Sequence, residues 1–343
     1  MNLPFSSLEQ FRQQFNSGLH YLLEENQLGT FILCLANATN DKALFSQLEK
    51  PLLKQFQQIL KNYQQNLSEG KEINAVVEDL LVFLKLHALG FNKIKLTQQR
   101  HESDWLCQFN QLRSFRPKRI SAFQFNEKIS VPFIEAQFNF NKPFMAKECF
   151  WAGDCNGQSL DIFYNKYPFA DLHSLLVPQR DKCLPQLLFE KMHNYVWQLL
   201  IDWSVVLPGF TLAYNSYGAY ASVNHLHFQM FISSEGLPIS HPKWSHNGGT
   251  LEYPIKVLSV VDAEKSWNII ADLHAKNQPY NLLYMENKIF IIPRKVQGSV
   301  EVPDWSSGFT WSELCGAMLM FNHDIYQNLT ADNIFQHLKK YSI

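Results

Sequence analysis

Two histidines and a glutamine occupy alternate positions, His225, His227 and Gln229, in the apolar run SVNHLHFQMF at residues 222–231. On an extended strand successive side chains face opposite ways. The three polar residues then share one face, and Leu226, Phe228 and Met230 share the other. The apolar set can enter a core while the polar set meets a cleft. Three chemistries fit the histidine pair. Strand histidines two apart can grip zinc, with His173, His241, His246 or a cysteine as a further ligand, although none stands at a recognisable ligand spacing. The pair can simply be hydrogen-bonded. Or one imidazole can attack an electrophile while a carbonyl or carboxylate holds its other nitrogen.

Gln229 favours the third chemistry. An amide is no general acid, but it donates to an anionic oxygen. It therefore suits a leaving group that needs no proton, such as a phosphate, whose second pKa is about 6. The set suits transfer of a phosphoryl or nucleotidyl group and gives little help to water. Just upstream, Asn215, Ser216, Gly218 and Ser222 supply short donors and a flexible backbone, a composition that can approach phosphate oxygens.

The elements that must position these groups are read from periodicity. The 343 residues fit two domains or one large one. Apolar residues make up 46% and charged residues 18%, below the usual share of about 25%, so a large core is easily built. The net charge of −1 and the lack of a basic stripe argue against a nucleic-acid binder. The N-terminus MNLPFSSLEQFRQQF has no basic region followed by an apolar one, and no uncharged apolar stretch reaches the roughly 18 residues that span a membrane. The six scattered cysteines read as free thiols of a reducing compartment, which places the chain in the cytoplasm.

SLEQFRQQFNSGLHYLL reads as an amphipathic helix and LGTFILCLA (28–36) as a strand. Over 41–98 a helical hairpin is expected. One helix carries Phe45, Leu48, Leu52, Phe56, Ile59 and Tyr63 at steps of three and four, with Pro51 delaying or kinking it. The second puts Val77, Leu80, Leu81 and Leu84 on one face and stops at Gly90. From about residue 113 strand-like runs dominate, among them QFNFNKPF, SLDIFYNKYP, HSLLVPQ, GFTLAYNS, YNLLYM and KIFIIPR. Helices are expected at PQLLFEKMHNYVWQLLIDW and at TWSELCGAMLMFN, where Thr310 and Glu313 stand at capping-box spacing. Strands with helices between them indicate an α+β fold.

The HxHxQ run resembles the transferase branch of the histidine-triad superfamily. YNSYGAYASVNHLHFQ is similar to the signature of the GDP-hexose phosphorylases within it. PFIEAQFNFNKPF (132–144), FADLHSLLVPQ (169–179), NQPYNLLYMENKIFIIPR (277–294) and TWSELCGAMLMF (310–321) extend the likeness over roughly residues 113–325, with a weaker match at 17–36. The resemblance implies a histidine-triad-like antiparallel sheet core, a duplicated half-barrel like that of galactose-1-phosphate uridylyltransferase, formed by residues 1–40 and 99–343. The helical stretch 41–98 would be an insertion, serving as a lid, a dimer contact, a regulatory appendage or plain packing.

The resemblance also implies a double displacement on a GDP-sugar, with inorganic phosphate as the second substrate and no cofactor or metal. His227 would attack the α-phosphorus, the carbonyl of His225 would hold the far nitrogen of His227, and Gln229 would donate to a phosphate oxygen. Asn215 and Ser222 would hold the phosphates, with Ser216 and Gly218 beside them. Asn139 and Lys142 would contact the base or sugar. His173 follows Asp171 and Leu172 where the superfamily carries glycine, which alters the nucleotide pocket. Arg180 and Arg294 follow strand ends and would meet phosphate or remain surface charges. A homodimer is compatible with all of this. The alternatives are a dinucleoside polyphosphate phosphorylase and a non-catalytic nucleotide-binding or partner-binding protein.

Overall fold

The computed structural model describes residues 3–117 and 128–343. Four helices come first: α1 (Leu8–Leu23), α2 (Leu28–Ala38), α3 (Lys42–Ser68) and α4 (Val77–Leu89). Ser7 caps α1 by accepting from the Gln10 amide, and Asp41 caps α3 by accepting from Ala43 and Leu44. The run LGTFILCLA is thus helix α2, not a strand. Of Leu28–Ala38 only Gly29 is not fully buried, because α1, α3 and α4 all pack on it. A short, wholly buried run has no alternation with which to reveal its period. Helix α3 continues through Pro51 and buries Leu44, Leu48, Leu52, Phe56 and Ile59. Helix α4 buries Val82, Phe83 and Leu86. Val77, Leu81 and Leu84, expected to face inward, are 70%, 40% and 50% exposed. Apolar on two sides, α4 did not reveal by spacing which side packs.

The next elements are β1 (Gln98–Glu102), β2 (Trp105–Phe109), α5 (Gln111–Ser114), β3 (Cys149–Cys155), β4 (Gln158–Tyr164), β5 (Asp171–Pro178), α6 (Glu190–Ser204), β6 (Phe210–Asn215) and β7 (Phe228–Ile232). Then come β8 (Leu258–Val260), α7 (Ala263–Ala275), β9 (Tyr280–Met285), β10 (Lys288–Pro293), α8 (Trp311–Leu314), β11 (Ala317–Met320), α9 (His323–Asn328) and α10 (Ala331–Lys340). Eight strands form one sheet in the order β3-β4-β5-β7-β6-β9-β10-β8, and every neighbouring pair is antiparallel. A smaller sheet, β1-β2-β11, stands beside it. The fold is α+β, as expected.

Strand alternation divides the large sheet between two cores. Phe228, Met230 and Ile232 of β7 join the core built with α1–α4, α6 and α7. Phe231 joins the core on the other face, with the small sheet, Trp311, α9 and α10. Two further expectations need correction. QFNFNKPF is not a strand but a loop leading into a 3-10 turn at Pro143–Glu148, since the Asn139 side chain bonds its own loop at Glu135, Gln137 and Asn141. TWSELCGAMLMFN holds a capping box, but the helix lasts one turn. Gly316, at φ 91°, turns the chain out of it, and β11 then pairs parallel with β2.

Candidate active site

The polar face of the HxHxQ run lies at the middle of the large sheet, where β7 sits between β5 and β6. Leu226, Phe228 and Met230 enter the core shared with the helices, whereas the rings of His225 and His227 meet Phe140 of a separate cluster, so the two sets face apart. The strand ladder begins only at Phe228, opposite Leu176. His225 and His227 lie in a lead-in that no strand pairs and that bends at Asn224 and His225, where a strand was expected.

A side chain stands in for the missing strand. Gln186, 1% exposed, accepts from the His227 backbone N–H at 2.9 Å and donates to the His227 carbonyl at 3.1 Å. The same amino group donates to the Asn215 carbonyl at 3.0 Å. One amide thus ties the lead-in of β7 to the end of β6. Buried backbone groups need partners, and here a side chain supplies them. Sequence reasoning missed Gln186. It is one glutamine in an apolar run, 41 residues from its partner, and nothing local distinguishes it.

Both imidazoles have an assigned proton. His227 Nδ1 lies 2.8 Å from the carbonyl of His225, which can only accept, so Nδ1 carries the hydrogen. The lone pair is left on Nε2. That atom has no hydrogen bond to a described residue and is not sealed from solvent, in a side chain that is otherwise buried at 7% exposure. His225 accepts from the Phe140 N–H at Nδ1 (3.3 Å) and donates from Nε2 to the Arg180 carbonyl (3.0 Å). Burial lowers the pKa of both rings, that of His227 to about 4. His227 is therefore a neutral imidazole at physiological pH. The rings of Phe140 and His227 stand 5.3 Å apart, and Phe133 meets His225 edge-on at 5.2 Å.

Gln229 turns its oxygen away from solvent. Its Oε1 accepts from Trp311 Nε1 and from His173 Nε2, both at 2.9 Å. His173 is fully buried at the β5 bulge, where Leu172 adopts a positive φ of 50°. Its Nδ1 accepts from the Phe169 N–H, and burial lowers its pKa to about 3. Asn215, ending β6, accepts at Oδ1 from Asn281 Nδ2 at 2.6 Å and from the Trp311 N–H at 3.2 Å.

The remaining candidates divide into open and occupied groups. Ser222 is exposed. Gly218, at φ 80°, turns the loop and accepts from the Gln297 N–H. Ser216 is fully buried and holds Tyr280 through both its backbone and its hydroxyl. Lys142 donates to the Glu135 carbonyl at 2.7 Å, within the loop that Asn139 shapes. Arg180 pairs with Asp161 at 3.3 Å. Arg294 is no surface charge. It is fully buried between the rings of Tyr220 and Tyr341, and burial lowers its pKa to about 10. His246 bonds the Ile239 carbonyl inside its own loop. Among the described residues no group of three or more His, Cys, Asp or Glu could hold a metal ion, and no helix is long and apolar enough to cross a membrane.

Known proteins are similar to this chain in sequence and in fold. GDP-L-galactose phosphorylase 2 of Arabidopsis thaliana is 25% identical over 284 residues, which is 70% of this chain and 64% of that protein. The chain thus spans somewhat less than two thirds of that relative's length. GDP-D-glucose phosphorylase 1 of Danio rerio is 34% identical over 104 residues, 30% of this chain and 29% of that one. The crystal structure of yeast Ap4A phosphorylase Apa2 aligns over 79% of this chain and 96% of its own, with a TM-score of 0.51 and 14% identity, a likeness of fold. Residues 93–231 match the N-terminal domain of the GDPGP1-like family, and residues 250–343 match its C-terminal domain. The two matches span well over half of the chain, which belongs to the GDPGP1-like family.

Proposed function

We propose that this chain is a nucleotidyltransferase that phosphorolyses a GDP-hexose to GDP and hexose 1-phosphate. The observation that carries the reading is the 2.8 Å bond from His227 Nδ1 to the His225 carbonyl, which leaves a lone pair on an Nε2 that is not sealed from solvent. The names of the plant and animal relatives supply the substrate class. In the first step Nε2 attacks the α-phosphorus and forms an N–P bond. The anhydride P–O bond breaks, and hexose 1-phosphate departs with the electron pair. In the second step an oxygen of inorganic phosphate attacks the same phosphorus, the N–P bond breaks, and GDP leaves. His227 is returned with its proton still on Nδ1.

No proton transfer to the leaving group is needed, which fits a site whose polar side chains near His227 are neutral amides and imidazoles. The carbonyl of His225 stabilises the positive charge that grows on the ring. The amino groups of Gln229 and Asn215 donate to phosphate oxygens, and Ser222 adds a hydroxyl at the rim. Fixed donors of this kind lower the barrier by orientation and charge stabilisation. His173 holds the oxygen of Gln229, and Asn139 and Lys142 shape the loop whose Phe140 meets both His225 and His227.

His227→Ala tests the reading. Phosphate-dependent release of GDP from GDP-glucose, GDP-mannose or GDP-L-galactose should fall by about 10⁴-fold or more, as when a covalent nucleophile is removed, with the melting temperature little changed. Turnover that survives this substitution contradicts the reading. Wild-type turnover of diadenosine tetraphosphate with none of GDP-hexoses would reassign the substrate.

A further inference from the structure

A primary amide shows an acceptor on one side and two donors on the other. Which side meets a phosphate decides between attraction and repulsion. Gln229 and Asn215 each face this choice, and one residue settles it for both. The indole N–H of Trp311 donates to Gln229 Oε1 at 2.9 Å. The backbone N–H of Trp311 donates to Asn215 Oδ1 at 3.2 Å. Each oxygen has a second donor, His173 Nε2 for Gln229 and Asn281 Nδ2 for Asn215. Flipping either amide would set an amino group against two N–H donors. Gln229 Nε2 and Asn215 Nδ2 have no partner among the described residues, and neither is a buried orphan.

Trp311 is rigidly held. It is 1% exposed and is the first residue of α8, inside the capping box that Thr310 and Glu313 form around it. Its ring stacks on Phe231 with centroids 4.7 Å apart and planes 18° from parallel, and Phe169 packs on it at 5.5 Å. Shifting the indole N–H would disturb this stack. Trp311 comes from the C-terminal domain match, whereas Asn215 and Gln229 lie in the N-terminal one.

We infer that Trp311 is a positioning residue that locks the amides of Gln229 and Asn215 with their oxygens inward, so that both amino groups are presented to the phosphates of the substrate. This inference rests on the nucleotidyltransferase reading for the identity of the anion, but not for the lock itself. The C-terminal domain match thereby completes a site whose reacting groups all lie in the N-terminal domain match.

The lock can be tested without turnover. The chain has eight tryptophans, and the indole ¹H–¹⁵N signal that vanishes in Trp311→Phe belongs to Trp311. In Gln229→Ala that signal should shift, because its acceptor is gone. An unmoved signal overturns the lock, whatever the substrate. Turnover supplies the second arm. Trp311→Phe keeps one aromatic ring and the backbone N–H and removes the pyrrole ring with its donor, so kcat should fall about tenfold, the effect of one hydrogen bond. Made in a Gln229→Ala background, the same substitution should cost less than about twofold. Equal losses in both backgrounds would mean that the indole acts through packing, and would overturn the inference. Absence of any wild-type turnover on GDP-hexoses would strike the functional reading alone, leaving the indole signal to judge the lock.

Discussion

The lead-in of β7 and the helices α3 and α4, both packed on α2, hold their shapes by opposite means. In the lead-in the apolar face is Leu226 alone, and order comes from hydrogen bonds: Gln186 to His227 and Asn215, His227 to His225, His225 to Arg180. In α3 and α4 the inward face is mostly apolar, with Leu44, Leu48, Leu52, Phe56 and Ile59 on α3 and Val82, Phe83 and Leu86 on α4, and with Gln55 and Asp79 buried among them. Directional bonds fix one geometry, and each lost partner leaves a buried group unpaired. Apolar contacts are non-directional and set stability more than position. The proposed chemistry at phosphorus therefore depends on the first region, and the folding free energy depends strongly on the second.

Substitutions can break this contrast. Gln186→Leu is expected to have the largest combined effect. It leaves the N–H and C=O of His227 and the carbonyl of Asn215 without this partner. Unfolding free energy should fall by about 1–3 kcal/mol, and the rate per folded molecule should drop by about 100-fold, since a slightly misplaced nucleophile is costly. Leu52→Ala, at a fully buried position of α3, should cost about 2–5 kcal/mol in urea unfolding and leave the rate per folded molecule unchanged. If Leu52→Ala slows turnover as much as Gln186→Leu does, the two regions are not separable.

Acidity gives a smaller effect. Burial lowers His227 and His193 to about 4 and His173 to about 3 in the folded chain, against about 6.5 when unfolded. Below pH 6.5 the unfolded chain binds protons that the folded one refuses. The stability contributed by these rings is therefore complete above pH 6.5 and is lost as pH falls toward 4 and 3, by roughly 1 kcal/mol per histidine per pH unit. The melting temperature should drop steadily from pH 7 to 5. Over the same range nucleotidylation without phosphate should not show a midpoint near 6.5, because His227 stays neutral. An acid limb centred there would contradict the burial of that ring.

Much of this arrangement was legible in the chain. The alternation around His225, His227 and Gln229 announced one packed and one polar face, and both are present. Strands such as GFTLAYNS and KIFIIPR declared themselves by branched and aromatic residues. What failed was local information at positions whose state is decided elsewhere. LGTFILCLA became a helix because other helices surround it. The helix after Thr310 stopped because β11 found a partner in β2. Gln186 and Trp311 act across 41 to 96 residues of sequence, and a long-range hydrogen bond leaves no periodicity. Ser216, Asn139 and Lys142 were legible as polar but not as occupied, since their partners lie in neighbouring loops and strands.

The central claim is that His227 Nε2 forms a bond to the nucleotide's α-phosphorus. Intact-protein mass spectrometry after mixing with a GDP-hexose and no phosphate tests it most directly. The account predicts a guanylyl adduct on wild type, mapped to His227, absent in His227→Ala, and discharged as GDP when phosphate is added. Phosphate-dependent turnover by a wild-type enzyme that never carries the adduct would contradict it.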